Sequence, residues 1–149
     1  MMISSKGRYA LRVMLELAQH EDGEYIRLGD IAERQGISRK YLESIMAALA
    51  KAGLVESALG KSGGYRLARP AGEYRVGEIL QAAEGELTAV SCAVMDGKPC
   101  ERAGVCITLP FWRGLEDEIN AYVNRYTLRD LLKPRQDGGE DTREESKNE

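Results

Sequence analysis

From Ser4 to Gln19 apolar residues recur at the spacing of an α-helix. Ala10, Leu11, Met14, Leu15, Leu17 and Ala18 gather on one side, and Arg8, Arg12 and Glu16 line the other. Ser4 or Ser5 is placed to cap this helix, and Asp22-Gly23 breaks it. A short helix is predicted from Leu28 to Gln35, with Leu28, Ile31 and Ala32 facing inward and Gly36 suited to a left-handed stop. Ser38 caps a third helix, in which Leu42, Ile45, Met46 and Leu49 occupy positions i, i+3, i+4 and i+7 until Gly53. Helix, tight glycine turn and helix form the helix-turn-helix pattern.

The period then changes. Leu54–Ala58 and Tyr65–Ala68 read as short strands, and the six residues between them, 59–64, are rich in the types that accept positive φ. A hairpin directly after a helix-turn-helix is a wing. Val76, Ile79, Leu80 and Ala83 return to helical spacing as far as Gly85. Residues 88–106 are irregular, with Asp96-Gly97, Pro99, Gly104 and all three cysteines. A long helix follows, with Phe111, Trp112, Leu115, Ile119, Tyr122, Val123 and Tyr126 on one side. Thr127 caps a last turn from Leu128 to Leu132, and Pro134 releases the tail. The expected fold is mainly α with a small β wing. Residues 1–85 form the winged helix-turn-helix, 86–107 a cysteine-containing loop, 108–133 a long helix with its final turn, and 134–149 a tail.

Composition bounds this picture. A chain of 149 residues, 43 % of them hydrophobic, suits one domain with a real core, although one Phe and one Trp leave the packing to aliphatic side chains. No apolar run approaches the ~18 residues of a membrane span, and Met1-Met2-Ile3-Ser4-Ser5-Lys6 lacks the shape of a signal peptide. A cytoplasmic protein is expected. The net charge of −3 conceals an asymmetry. Residues 1–75 carry 12 Lys and Arg against 9 Asp and Glu, whereas residues 76–149 carry 9 against 15. The tail holds 6 acids and 3 bases, so it cannot bury surface to offset its ordering entropy and is expected to be disordered. Steering toward DNA follows the local field rather than the total charge.

The third helix is the candidate recognition helix. The core uses its apolar stripe, which leaves Lys40, Glu43, Ser44 and Ala47 opposite, with Arg39 beside its N-terminus. The first turn of such a helix reaches base edges in the major groove. Arg39 and Lys40 suit phosphate or guanine, and Glu43 suits cytosine N4 and so specificity. Ser38 and Tyr41 suit phosphates. In the wing, Lys61, Gly63 and Gly64 are candidates for the neighbouring backbone or minor groove, with Arg66 beside them. A solvated surface helix and an ordinary hairpin turn are the plainer readings of these residues. The helix-turn-helix and the glycine-rich wing together favour DNA.

Cys92, Cys100 and Cys106 are an odd number of thiols clustered within fifteen residues, which reads as metal ligands or redox thiols rather than disulfides. Thiolates suit iron–sulfur and zinc sites alike. A lone His20, no Cys-x-x-Cys and no phosphate-cradling loop weigh against an enzyme.

Ser4-Ser5-Lys6-Gly7-Arg8-Tyr9-Ala10, the stretch Ser38 to Glu43, Gly53-Leu54-Val55 and Gly63-Gly64-Tyr65 together resemble the winged-helix regulator family of IscR, NsrR and CymR, over roughly residues 1–132. The resemblance implies a homodimer on palindromic double-stranded promoter DNA, with the stripe from Phe111 to Tyr126 as its seam. It also implies a 2Fe–2S cluster on Cys92, Cys100 and Cys106. Where one branch of the family has a histidine as fourth ligand this chain has Leu109, and where another has an acid it has Arg8, so the fourth ligand is unassigned. His20, Asp96 and Glu101 are not selected by spacing. Zinc, free thiols with a cysteine activated near Lys98 or Arg102, or a protein partner are the alternatives to a cluster. In the wing, Leu59 stands where IscR-like proteins place an arginine.

Overall fold

The computed structural model describes residues 3–20, 22–90 and 100–133. Helix α1 (Ser5–Ala18) is followed by α2 (Leu28–Gln35) and α3 (Arg39–Lys51). Strands β1 (Val55–Ala58) and β2 (Gly64–Leu67) form an antiparallel hairpin in which Val55 faces Leu67 and Ala58 faces Gly64. Helix α4 (Val76–Glu84) comes next, then α5 (Leu109–Arg125) and the short α6 (Leu128–Leu131). The expected mainly helical fold with a two-stranded wing and a long C-terminal helix is the one observed. The second strand begins one residue early, at Gly64. Cys92, Asp96, Lys98 and the tail lie outside the described residues.

The core is aliphatic, as the composition requires. Ala10, Val13, Met14 and Leu17 of α1 meet Ile31 of α2 and Leu42, Ile45, Met46 and Leu49 of α3, all buried. Gly36 (φ 64°) and Gly53 (φ 74°) stop α2 and α3 in the left-handed region, where a side chain is strained. Tyr74, with no exposed surface, pins the base of the wing. Its hydroxyl donates to the Leu54 carbonyl (2.7 Å) and accepts from the Ala68 and Arg69 amides (2.8 and 3.0 Å). The hydroxyl thus satisfies backbone groups that burial would otherwise leave unpaired, while the ring packs in the core.

One expectation for α1 changes. Ser4 is the N-cap residue, but its side chain makes no cap bond. Glu84 of α4 takes that role, accepting from the Ser4 amide (2.8 Å), the Ser4 hydroxyl (2.5 Å) and the Gly7 amide (2.9 Å). A carboxylate at a helix N-terminus is stronger there than a hydroxyl because it also meets the positive end of the dipole. A Cβ at Gly7 would run into that carboxylate, which accounts for the glycine. Glu16, on the side opposite the apolar stripe, is nevertheless buried at 5 % exposure. It accepts from Arg34 (3.0 Å) and Gln35 (2.7 Å), while Arg12 donates to the side chain and carbonyl of Gln35. These bonds fasten α1 to α2.

Gly77 lets α5 approach α4 closely, since a Cβ there would collide with Asn124. Val123 and Tyr126 pack against buried Val76, Leu80 and Leu87. The Val76 amide donates to the Tyr126 carbonyl (2.9 Å) and the Leu128 amide to the Tyr74 carbonyl (3.1 Å). Thr127 caps α6 as expected, and Asp130 completes a capping box. These amide and hydroxyl donors hold the Asp130 carboxyl below its ordinary range.

Candidate nucleic-acid interface and cysteine site

Ser38 caps α3 by accepting from the Tyr41 amide (3.2 Å), which leaves its own O–H free to donate outward. Arg39, Lys40, Glu43, Ser44 and Ala47 are all exposed, while the buried residues of α3 are Leu42, Ile45, Met46 and Leu49. The helix therefore turns its polar side away from the core, with two cations in its first turn and one anion a turn later.

Tyr41 differs from the others. Its hydroxyl is hydrogen-bonded to that of Ser5 (3.0 Å), and its ring meets Tyr9 edge-on at 5.9 Å. It is half-buried and joins α3 to the start of α1, so an outward phosphate contact would compete with that bond.

The wing divides the remaining candidates. Leu59, Gly60 and Lys61 are exposed at its tip, Leu59 completely. Gly63 is buried, and a Cβ there would strike the Ala58 carbonyl. At Gly64 (φ 145°) a Cβ would strike the Ile26 carbonyl, because Ile26 and Tyr65 exchange two backbone bonds of 2.8 Å. The two glycines thus answer a packing demand within the chain, which the plainer reading as a hairpin turn also expects. Arg66 is also engaged. It bonds Glu56 (2.9 Å) and the Gly23 carbonyl (2.9 Å), and its guanidinium lies 4.4 Å from the Tyr25 ring centroid. Its β2 position, facing Glu56 of β1, decides this. Arg69 pairs with Glu78 (2.7 Å), which raises its already high pKa.

In the cysteine region, Cys100 is half-buried and Cys106 exposed. The Cys106 sulfur lies 3.3 Å from the Thr108 hydroxyl. Hydrogen bonding from that hydroxyl, and then from the Thr108 and Leu109 amides at the start of α5, holds the thiol below its ordinary pKa. The charge of Arg102 adds least, so the activation comes chiefly from the helix N-terminus rather than from a cation. Leu109 is buried and apolar, and offers no donor atom. Arg8 is exposed and likewise offers no metal-binding group. His20 lines an open groove of about 380 Å³ with Arg66 and Arg69. Among the described residues, no three His, Cys, Asp or Glu side chains converge as a metal site.

Sequence reasoning missed Glu84, Tyr74 and Arg27. Their partners lie 34 to 80 residues away for Glu84 and Arg27 and between 5 and 20 for Tyr74, and no local spacing signals such pairs.

The family described as "Rrf2: Iron-dependent Transcriptional regulator" matches residues 3–134. The chain is 40 % identical over 132 residues to the HTH-type transcriptional regulator IscR of Cronobacter sakazakii, covering 89 % of this chain and 80 % of the relative. It is similar in structure to T. potens IscR, with a TM-score of 0.72 and 35 % identity, over 94 % of this chain and 93 % of the other. Against CymR, the global cysteine regulator of B. subtilis, the TM-score is 0.70 at 33 % identity, covering 88 % and 95 %. Among the described residues, no helix is long and apolar enough to cross a membrane.

Proposed function

The chain belongs to the Rrf2 family of DNA-binding transcriptional regulators, and we propose that it acts as a homodimer that represses transcription from palindromic promoter sites. The observation that carries the DNA surface is the exposed polar side of α3, where Arg39, Lys40, Glu43 and Ser44 stand clear of the core beside a wing whose tip presents Lys61. Arg39 and Lys40 supply phosphate or guanine contacts, Ser38 an outward hydroxyl, and Glu43 discrimination. Tyr41 supports the helix from behind. Two such helices related by a two-fold axis enter successive major grooves, which sets half-sites about one helical turn or a multiple apart. The dimer reading is supported by the uncovered apolar residues of α5.

For the sensing site, a 2Fe–2S cluster on Cys92, Cys100 and Cys106 is supported by three thiols close in sequence and by the anion-stabilising environment of Cys106. The thiolate donor set fits an iron–sulfur group. The fourth donor is unassigned, because Leu109 provides none. A bound cluster would supply a redox-responsive centre. Cys106 and Thr108 stand at the N-terminus of α5, so a change in ligation there bears on the pose of that helix. The second reading, sensing by zinc or by the free Cys106 thiol, is favoured by the same exposed, activated sulfur.

The test of the DNA reading is selection from randomised duplexes, followed by binding to the recovered palindrome and to a single half-site. A Lys40→Ala or Glu43→Ala variant that binds and discriminates like wild type would dismiss the assigned surface. Equal affinity for half-site and palindrome would dismiss the dimer. Repression is read by in vitro transcription from a template carrying the recovered site. An anaerobic visible spectrum with iron and sulfide assays separates the sensing readings, since near-equal iron and sulfide requires a cluster.

A further inference from the structure

Arg27 occupies the N-cap position of α2, a place that ordinarily takes Ser, Thr, Asp or Asn. A cation there meets the positive end of the helix dipole, and the side chain makes no cap bond. Its geometry supplies a different role. The backbone serves α2, its carbonyl accepting from the Asp30 and Ile31 amides (3.1 and 3.2 Å). The guanidinium runs the other way and donates to the Lys61 carbonyl, 2.6 Å distant, in the tip of the wing.

The preceding residue holds the same hairpin at another point, through the paired bonds between Ile26 and Tyr65. One dipeptide, leading directly into the helix-turn-helix, thus grips the wing at two points, at Tyr65 near the start of β2 and at Lys61 in its tip. The tip is otherwise held by its own turn, in which the Gly63 amide donates to the Gly60 carbonyl (3.1 Å). Leu59, Gly60, Lys61 and Ser62 are exposed, Gly60 has φ 95°, and an open groove of about 410 Å³ lies among Glu24, Tyr25, Arg27, Lys61, Ser62 and Gly63. A charge-assisted hydrogen bond to a carbonyl is the kind of interaction that fixes such a loop.

We infer that Arg27 is a positioning residue for DNA reading. It sets the pose of the wing tip relative to α3, so that Leu59 and Lys61 meet the groove beside the one α3 enters. The inference rests on the wing reading proposed above and adds the residue that aims it.

A double-mutant cycle tests it, using the duplex recovered by selection with the wild-type protein and titrations at several salt concentrations. Lys61→Ala is expected to weaken binding about fivefold, and Arg27→Ala at least as much. The double variant is expected to bind within about twofold of Arg27→Ala, because a wing tip that is no longer aimed leaves Lys61 without its phosphate. Factors that multiply, with the salt slope falling by about one further unit, would make Arg27 an independent phosphate ligand and overturn the inference. If Lys61→Ala and Leu59→Ala both bind like wild type while Lys40→Ala does not, the wing reading itself fails. Hydrogen exchange reads the anchor without DNA. In Arg27→Ala the amides of residues 60–63 should exchange several-fold faster while α2 and α3 keep their protection. Unchanged exchange at the tip overturns the proposal. Arg27 is exposed, and alanine preserves the backbone bonds of α2, so the variant is expected to fold.

Discussion

The head formed by α1 to α4 and the wing, and the long helix α5, are built on opposite terms. The head buries Met14, Leu17, Ile31, Leu42, Ile45, Met46, Leu49 and Ile79 and ties its edges with buried or charge-assisted hydrogen bonds from Tyr74, Glu16 and Glu84. Along seventeen residues α5 buries only Leu109, while Phe111 is 65 % exposed, Tyr122 56 % and Leu115 40 %. Its C-terminal end is seated on α4 through Val123, Asn124 and the following Tyr126. The head has met its needs within one chain. Among the described residues nothing covers Phe111, Leu115 and Tyr122, as is typical of association surfaces, and the helix begins beside Cys106. On the dimer and sensing readings proposed above, this helix would join two copies and respond to what happens at the cysteines.

The sharpest way to break this contrast is to make α5 polar. Phe111→Asp with Leu115→Asp should convert dimer to monomer in sedimentation equilibrium and weaken palindrome binding about a hundredfold, through loss of avidity. The head should keep its unfolding midpoint. A protein that stays dimeric would place the seam elsewhere.

Next in size is the converse change, inside the head. Tyr74→Phe strips the hydroxyl that serves three backbone groups at the wing base and should cost about 2 kcal/mol in denaturant unfolding. Subunit association, read by dilution of folded protein, should not change. Gly7→Ala should cost about 1 kcal/mol, because the added methyl displaces Glu84 from the end of α1. A Gly7→Ala protein as stable as wild type would show that the carboxylate finds equivalent bonds elsewhere.

The smallest effect is a shift in reactivity. Because its thiol pKa is lowered, Cys106 in reduced, iron-free protein should remain thiolate, and alkylate, at pH values where an ordinary cysteine has become protonated. Thr108→Val removes the largest cause and should move that reactivity curve to higher pH. Arg102→Ala should move it less, since its charge is the least of the causes. A larger shift with Arg102→Ala would reverse the assignment.

Elements with a strong local signal were legible from the chain. Helical spacing located α1 to α4, glycines marked where α2 and α3 stop, and Ser38 and Thr127 were recognisable as caps from their own neighbourhoods. The apolar residues of α5 were also legible, but not their division. They read as one stripe, whereas Val123 and Tyr126 turn to α4 and Phe111, Leu115 and Tyr122 to solvent. What the sequence determined by itself was whatever depends on residues within about a turn of each other, because backbone geometry and side-chain period act at that range. Only the tertiary structure decided which polar residues are spoken for. Glu16 lay opposite an apolar stripe, Arg66 looked like a surface charge, Gly63 and Gly64 like a flexible reading tip, and Glu84 and Arg27 like nothing in particular. Their roles come from partners brought close by packing of the core, and a hydrogen bond of 2.6 to 3.0 Å exists only once that packing has fixed both ends.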